Sequence, residues 1–336
     1  MDKNAAISKQ LLFLKRIEDL IGNASSLVYE LSEILEISTD SAYRRMRGET
    51  FLGIDEIIAL CDHFNISFDA FSKAETDIVT FSYKGMESAS ENLASYLSEI
   101  RKDLTNIKAA NNKQIIYACQ DIPVFYHYNH HELATFKFFY WMRSIMNVAH
   151  EDFAKYNPMA IDAEIFQIAR DIYQLYASVP SVEIWTDTTI QSTLKQIEFY
   201  WESGIFNSKE EAITVCESLK EEIADIQKQA EIGKKIVNND TQNIQNQYSL
   251  YYSEIEITNN CVLVNIEDFK AVYLSHFSFY TMKTMNEKYA SKTEEWLQSL
   301  IKKTTLISGV AEKTRFKFFN KSFQKIDELI KKIKES

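Results

Sequence analysis

The chain has 336 residues and a net charge of -11, from 48 Asp and Glu against 37 Lys and Arg; so acidic a body excludes a protein that binds nucleic acid indiscriminately through a basic surface. Hydrophobic residues at 46% and aromatic residues at 13% exclude a disordered chain, and seven Gly with three Pro leave few helix breakers, so the expected class is mainly α. Cys61, Cys119, Cys216 and Cys261 lie too far apart for a disulfide framework, no apolar run approaches the roughly 20 residues of a membrane span, and nothing at the N-terminus reads as a secretory signal; a cytoplasmic protein with no membrane partner is expected.

The first predicted element is an amphipathic helix with Leu11, Leu14, Ile17 and Ile21 on one side. A second follows, with Leu27, Leu31, Ile34 and Leu35 on a stripe. Ser38 is then a good N-cap and Gly48 suits the left-handed position just past a helix end, which brackets a short helix between them. At 100° per residue, Tyr43, Arg44 and Arg47 fall near Asp40 on one side, and Ala42 and Met46 fall opposite. One face can pack and the other can reach out. The next helix offers Ile57, Ile58, Cys61 and Phe64 to the same small core. A short second helix presented outward in this way is what the DNA major groove accepts. Charge opposes a purely electrostatic attachment: residues 1–75 hold only the bases Lys3, Lys9, Lys15, Arg16, Arg44, Arg45, Arg47 and Lys73, so binding would rely on a small patch, doubled by dimer symmetry.

Leu35, Ile37, Ser38, Gly48 and the run His63-Phe64-Asn65-Ile66-Ser67-Phe68-Asp69 resemble the pattern of the Cro/C1-type (XRE-like) helix-turn-helix regulators. The resemblance covers about the first fifth of the chain. Carried over by position, it implies base readers at Thr39, Asp40 and Arg44 and phosphate contacts near Arg47 and Thr50. Two positions depart from the pattern. Glu36 stands where the turn usually has Gly, and Arg45 stands where an aliphatic residue is expected, which sends it to the rim against a phosphate or an acidic neighbour.

A polar stretch over 72–77 marks a boundary, giving a DNA-binding domain over 1–75 and a second domain over 78–336. Residues 78–83 alternate and can pair as a strand or lead into the helix predicted over 86–110, where Leu93, Leu97, Ile100, Leu104 and Ile107 recur at three and four. The stretch 114–141 is the most aromatic part of the chain. His127, His130, His131 and Glu132 have a spacing that invites a metal, yet no second His or Cys cluster stands near, and the expectation is no metal and no cofactor. Phe125, Tyr126, Tyr128, Phe136, Phe139, Tyr140 and Trp141 either fill a core or line a pocket for a small-molecule or peptide effector.

Three helices are predicted near 160–177, 188–203 and 208–235. The last two have a tetratricopeptide-like rhythm without a clean 34-residue period, and an irregular bundle serves equally well. After a polar stretch over 237–247, residues 249–258 alternate, Asn259-Asn260 suits a tight turn, 261–266 is rich in β-formers, and 269–280 can complete a small antiparallel sheet. Helices over 287–303 and 311–334 close the chain.

The segments Asp121-Ile122-Pro123-Val124-Phe125-Tyr126-His127, Glu132 to Trp141 and Thr305 to Gly309 with Phe316 to Asn320 are also similar to a group of helix-turn-helix proteins common in Bacteroidetes. That resemblance extends over nearly the whole chain and implies a transcriptional regulator. No Gly-rich phosphate loop, HExxH or nucleophile elbow is present, so no enzyme is expected. The expected fold is mainly α, an N-terminal helix-turn-helix bundle plus a larger helical domain containing a small antiparallel sheet near 249–280. The expected partners are double-stranded DNA, a second copy of the chain and an effector. The alternative is a protein-interaction adaptor whose helix-turn-helix does not read DNA.

Overall fold

The computed structural model describes residues 9–21, 24–64, 66, 78–83, 90–146, 151–237, 247–267, 269–276 and 280–336. The end of the run at 67–69, the polar stretch 72–77 and most of 237–247 lie outside them, as do Lys3 and Lys73. The chain divides into two compact units, Met1–Ser82 and Tyr83–Ser336.

Among the described residues the first unit contains four helices, α1 (Lys9–Ile21), α2 (Ala24–Ile34), α3 (Thr39–Met46) and α4 (Ile54–Phe64). Phe13, Leu14 and Ile17 of α1, Leu27, Val28 and Leu31 of α2, Ala42 of α3 and Leu60 of α4 are all buried in one cluster. α3 has room for only one fully buried side chain. Ala42 fills that contact and its small size lets α3 lie close to α2. α2 ends in a Schellman closure, with the amide of Ile37 donating to the carbonyl of Ser32 (3.1 Å) and that of Glu36 to Glu33 (3.4 Å). Glu36 itself is left-handed, at φ 51°, so the turn keeps the conformation that favours Gly although its residue is Glu.

The second unit corrects the expected fold class. It is not a helical domain with a small antiparallel sheet but an α/β fold on an eight-stranded mixed sheet. In chain order it has β1 (Ser82–Tyr83, where the units divide), α5 (Ser90–Ala109), β2 (Lys113–Cys119), α6 (Val124–His127), α7 (His131–Tyr140), α8 (Ala163–Ala177), β3 (Ser181–Trp185), α9 (Gln191–Glu202) and α10 (Lys209–Ile232). Then come β4 (Tyr248–Tyr252), β5 (Cys261–Ile266), β6 (Phe269–His276), β7 (Tyr280–Thr284), α11 (Glu287–Ile301), β8 (Thr305–Leu306) and α12 (Glu312–Glu335). Across the sheet the order is β1-β7-β6-β5-β2-β3-β4-β8.

The pairs β2–β3 and β3–β4 are parallel and the other registered pairs antiparallel. Helices α6 to α8 make one crossover and α9 with α10 the next. The tetratricopeptide-like reading of α9 and α10 is therefore corrected: they return the chain to a parallel strand, and α10 packs on β4, α7 and α12. The hairpin expected across Asn259-Asn260 is corrected too, because β2 and β3 stand between β4 and β5 in the sheet.

Alternation along the strands explains the layers. Ile115, Tyr117 and Cys119 of β2 join the core beneath α5 to α10 and α12, while Ile116 and Ala118 join a second core with Leu263, Val272 and Ala290, Leu297 and Leu300 of α11. Both faces of the central strands are covered, and such strands read as continuous apolar runs rather than alternating ones. No helix among the described residues is long and apolar enough to cross a membrane.

Replacing Glu36 by Gly should raise the stability of the first unit by roughly 0.5–1 kcal/mol, the left-handed penalty removed less the extra flexibility of Gly in the unfolded chain. Urea unfolding followed by circular dichroism checks this; a destabilised variant would show that residue 36 is not left-handed.

Candidate functional site

The outward face of α3 is fixed at both ends. Ser38 caps the start, its hydroxyl accepting from the amide of Ser41 at 3.2 Å. At the other end Gly48 is left-handed (φ 73°), its amide donates to the carbonyl of Arg45 (3.0 Å), and the amide of Glu49 donates to that of Arg44 (2.9 Å), a second Schellman closure. Gln10 of α1 then clamps the following loop: its side-chain amide donates to the carbonyls of Arg45 and Thr50, both at 2.8 Å, and accepts from the amide of Leu52 at 3.0 Å. Thr39, Asp40, Tyr43, Arg44 and Arg47 are exposed on this rigid support, and Thr50 is half-buried beside it.

The three arginines divide by environment. Arg45, only 15% exposed, forms a bidentate pair with Glu56 of α4, Nη2 to Oε1 at 2.6 Å and Nε to Oε2 at 3.1 Å. Glu56 Oε2 also accepts from the amide of Gly53 (2.9 Å), capping α4, and the Arg45 guanidinium holds its carboxyl below the usual range. Arg45 is therefore a brace between α3 and α4, and the acidic neighbour foreseen for it is Glu56. Arg44 and Arg47 are 55% and 58% exposed and share one partner, Glu49: Arg47 Nε lies 2.8 Å from Oε1 and Arg44 Nε 3.8 Å from Oε2. Sequence reasoning missed Gln10, Glu49 and Glu56. Only Glu56 carried a signal, the Gly53-x-x-Glu56 capping spacing.

The aromatic residues read as either a core or a pocket lining are packed ring on ring. Phe136 stacks on Phe206 (5.7 Å), Phe139 lies 5.3 Å from Tyr156, Tyr140 5.4 Å from Tyr200, Tyr128 and Trp141 5.6 and 5.7 Å from Phe138, and Phe125 4.4 Å from Tyr176. None of them lines the open groove of about 610 Å³ between α5 and α8, where Arg101, Lys102 and Gln174 stand. The histidines do not converge. His127 contacts Glu222 (2.9 Å), His130 contacts Asp225 (3.5 Å) and His131 packs on Phe166 (4.7 Å). Burial pushes the His127 imidazole well below its usual range and raises the Glu222 carboxyl to about 8. Among the described residues no group of three or more His, Cys, Asp or Glu is placed to hold a metal ion.

The seventh aromatic, Tyr126, belongs to a buried polar cluster that the sequence did not reveal. Glu183, in the middle of β3 with no exposed surface, accepts at Oε1 from the hydroxyls of Tyr126 (2.8 Å) and Tyr176 (2.6 Å), and at Oε2 from Trp185 Nε1 (2.9 Å) and the Tyr248 hydroxyl (3.1 Å). Lys235 Nζ lies 3.7 Å from Oε1 and 3.2 Å from the Tyr176 ring centroid. Every member is buried, so the cluster ties α6, α8, β3, β4 and the end of the second crossover together.

Comparison with protein-family models, curated proteins and solved structures gave no match. The function rests on the chain's own geometry.

Two predictions follow from these environments. Arg45→Ala should destabilise the first unit by about 1–2 kcal/mol, since it leaves Glu56 without its bidentate donor, whereas Arg44→Ala and Arg47→Ala should change stability by less than about 0.5 kcal/mol; urea unfolding of the three variants separates brace from surface. Burial pulls the Lys235 ammonium down to about 7, with Glu183 acting in the opposite sense. Between pH 7 and 9 the unfolded lysine holds a proton that the folded one has released, so this group makes stability rise with pH, by at most about 1.4 kcal/mol per unit. Lys235→Met should remove that rise; equal pH slopes for parent and variant would contradict it.

Proposed function

We infer that the first unit binds double-stranded DNA sequence-specifically with α3 in the major groove, and that the chain acts as a dimeric transcriptional regulator. The observation that carries this reading is α3 itself. It is eight residues long, closed at both ends by backbone and side-chain hydrogen bonds, buried through Ala42 alone, and presents Thr39, Asp40, Tyr43, Arg44 and Arg47 outward. Arg44 is assigned to base edges, where a guanidinium bonds bidentately to guanine, and Arg47 to the backbone, with Thr50 beside it. Arg45 is not assigned to DNA, because its side chain is mostly buried and held by Glu56 and the Ser41 carbonyl. Two arginines on an acidic chain give a weak half-site contact, and linking two such faces one helical turn apart, about 34 Å, adds them. We assign the dimer contact to the second unit. The packed aromatic segment is core and is not proposed as an effector site.

A protein-interaction adaptor is the second reading, and one observation favours it: Phe51, in the connection between α3 and α4, and Ile54, the first residue of α4, are 82% and 78% exposed. Selection of bound fragments from random-sequence DNA by the full chain separates the two. Enrichment of a two-fold symmetric site supports the regulator; recovery of unselected sequence alone supports the adaptor.

With a site in hand, Arg44→Ala should lose roughly 1–3 kcal/mol of discrimination at one base pair in each half-site, while Arg47→Ala should weaken all sequences alike and flatten the dependence of log K on log salt by about one. Fluorescence anisotropy on selected and scrambled duplexes measures both. An Arg44→Ala variant that discriminates as the parent does would remove Arg44 from the readers.

A further inference from the structure

Glu49 is a charge whose place runs against the DNA reading of its surroundings. It is a half-exposed carboxylate set between the two arginines that the DNA reading sends to the duplex. Its position is not accidental to a flexible side chain. Gly48 makes the left-handed turn at the end of α3, and the Schellman hydrogen bond from the Glu49 amide to the Arg44 carbonyl, 2.9 Å, folds residue 49 back over the last turn of the helix. From there Oε1 lies 2.8 Å from Arg47 Nε, Oε2 lies 3.3 Å from Arg47 Nη2, and Oε2 lies 3.8 Å from Arg44 Nε. Two oxygens on the fork of one guanidinium is the geometry by which arginine also holds a phosphodiester.

The geometry points to Glu49 as a built-in phosphate surrogate: it occupies the anion site of Arg44 and Arg47, and a DNA backbone phosphate takes that site only by displacing it. This rests on the DNA reading above and adds a regulator of affinity to it. With Glu56 on Arg45 and Glu49 on the other two, each arginine of α3 and its C-cap has an acidic partner within the unit. A surface pair is weak, so the displacement is easy, but every duplex must make it. Weak, sequence-independent contacts suffer most in practice. They start from few contacts, and a fixed handicap leaves them below the threshold at which a two-fold site with base contacts still binds.

The test uses the full chain, a selected duplex and a random 30-base-pair duplex, with affinity measured by fluorescence anisotropy across a salt series. Glu49→Gln keeps the backbone closure and removes the charge. It should bind both duplexes roughly tenfold more tightly at low salt and steepen the salt dependence by about one, with the thermal unfolding midpoint unchanged. Glu33→Gln, an exposed carboxylate on α2, changes net charge equally and should gain far less. Adding Arg47→Ala to Glu49→Gln should erase most of the gain. If Glu49→Gln and Glu33→Gln gain alike, or if the gain survives the loss of Arg47, Glu49 acts through net charge only and the surrogate role is overturned while the DNA reading stands. If no form of the chain binds either duplex, the DNA reading fails and this inference fails with it.

Discussion

The larger unit depends on one buried carboxylate. A charge with no exposed surface is tolerable only when its lone pairs are met, and Glu183 meets four neutral donors drawn from α6, α8, β3 and β4. Burial also pushes the phenols of Tyr126, Tyr176 and Tyr248 well up, which keeps them protonated donors at neutral pH. Because those donors belong to the first crossover, to β3 itself and to the neighbouring strand, they converge only if β3 and β4 lie side by side with α6 and α8 on one face. Lys235 adds an amine over the Tyr176 ring and brings in the chain just after α10. Its Nζ also donates to the Tyr176 carbonyl in a long hydrogen bond of 3.4 Å.

The smaller unit solves an opposite problem. Arg44, Arg47 and Glu49 stay at the surface, and what has to be fixed is the direction in which a two-turn helix and the turn after it present them. Propensity does little for eight residues. The cap at Ser38, the left-handed residues Glu36 and Gly48, the Gln10 clamp and the Arg45–Glu56 brace do it instead. A face held that firmly has its side chains placed before any partner arrives, which lowers the entropy lost on binding.

What the sequence made legible follows from which physics leaves a local trace. The short helix α3 was readable because Ser38 and Gly48 are conformational signals in themselves, and β5 and β6 were readable because they fell in a stretch of β-formers. β2 and β3 were not. Lys-Gln-Ile-Ile-Tyr-Ala-Cys is buried on both faces and shows no alternation, and Ser-Val-Glu-Ile-Trp carries at its centre a glutamate that composition places on the surface. Scarce Gly and Pro then biased the reading toward helix. The partners of the arginines were invisible for a different reason: Glu49 and Glu56 become partners only once the turn at Gly48 and the crossing of α3 and α4 are built.

The central claim is that the α3 face is where this chain meets its partner and that the partner is DNA. Hydrogen–deuterium exchange of the full chain, with and without a duplex recovered by selection, tests it most directly. The account predicts slowed exchange concentrated in residues 38–50 when the duplex is added. Slowing confined to 51–58 or to the second unit, or no change anywhere, would contradict it.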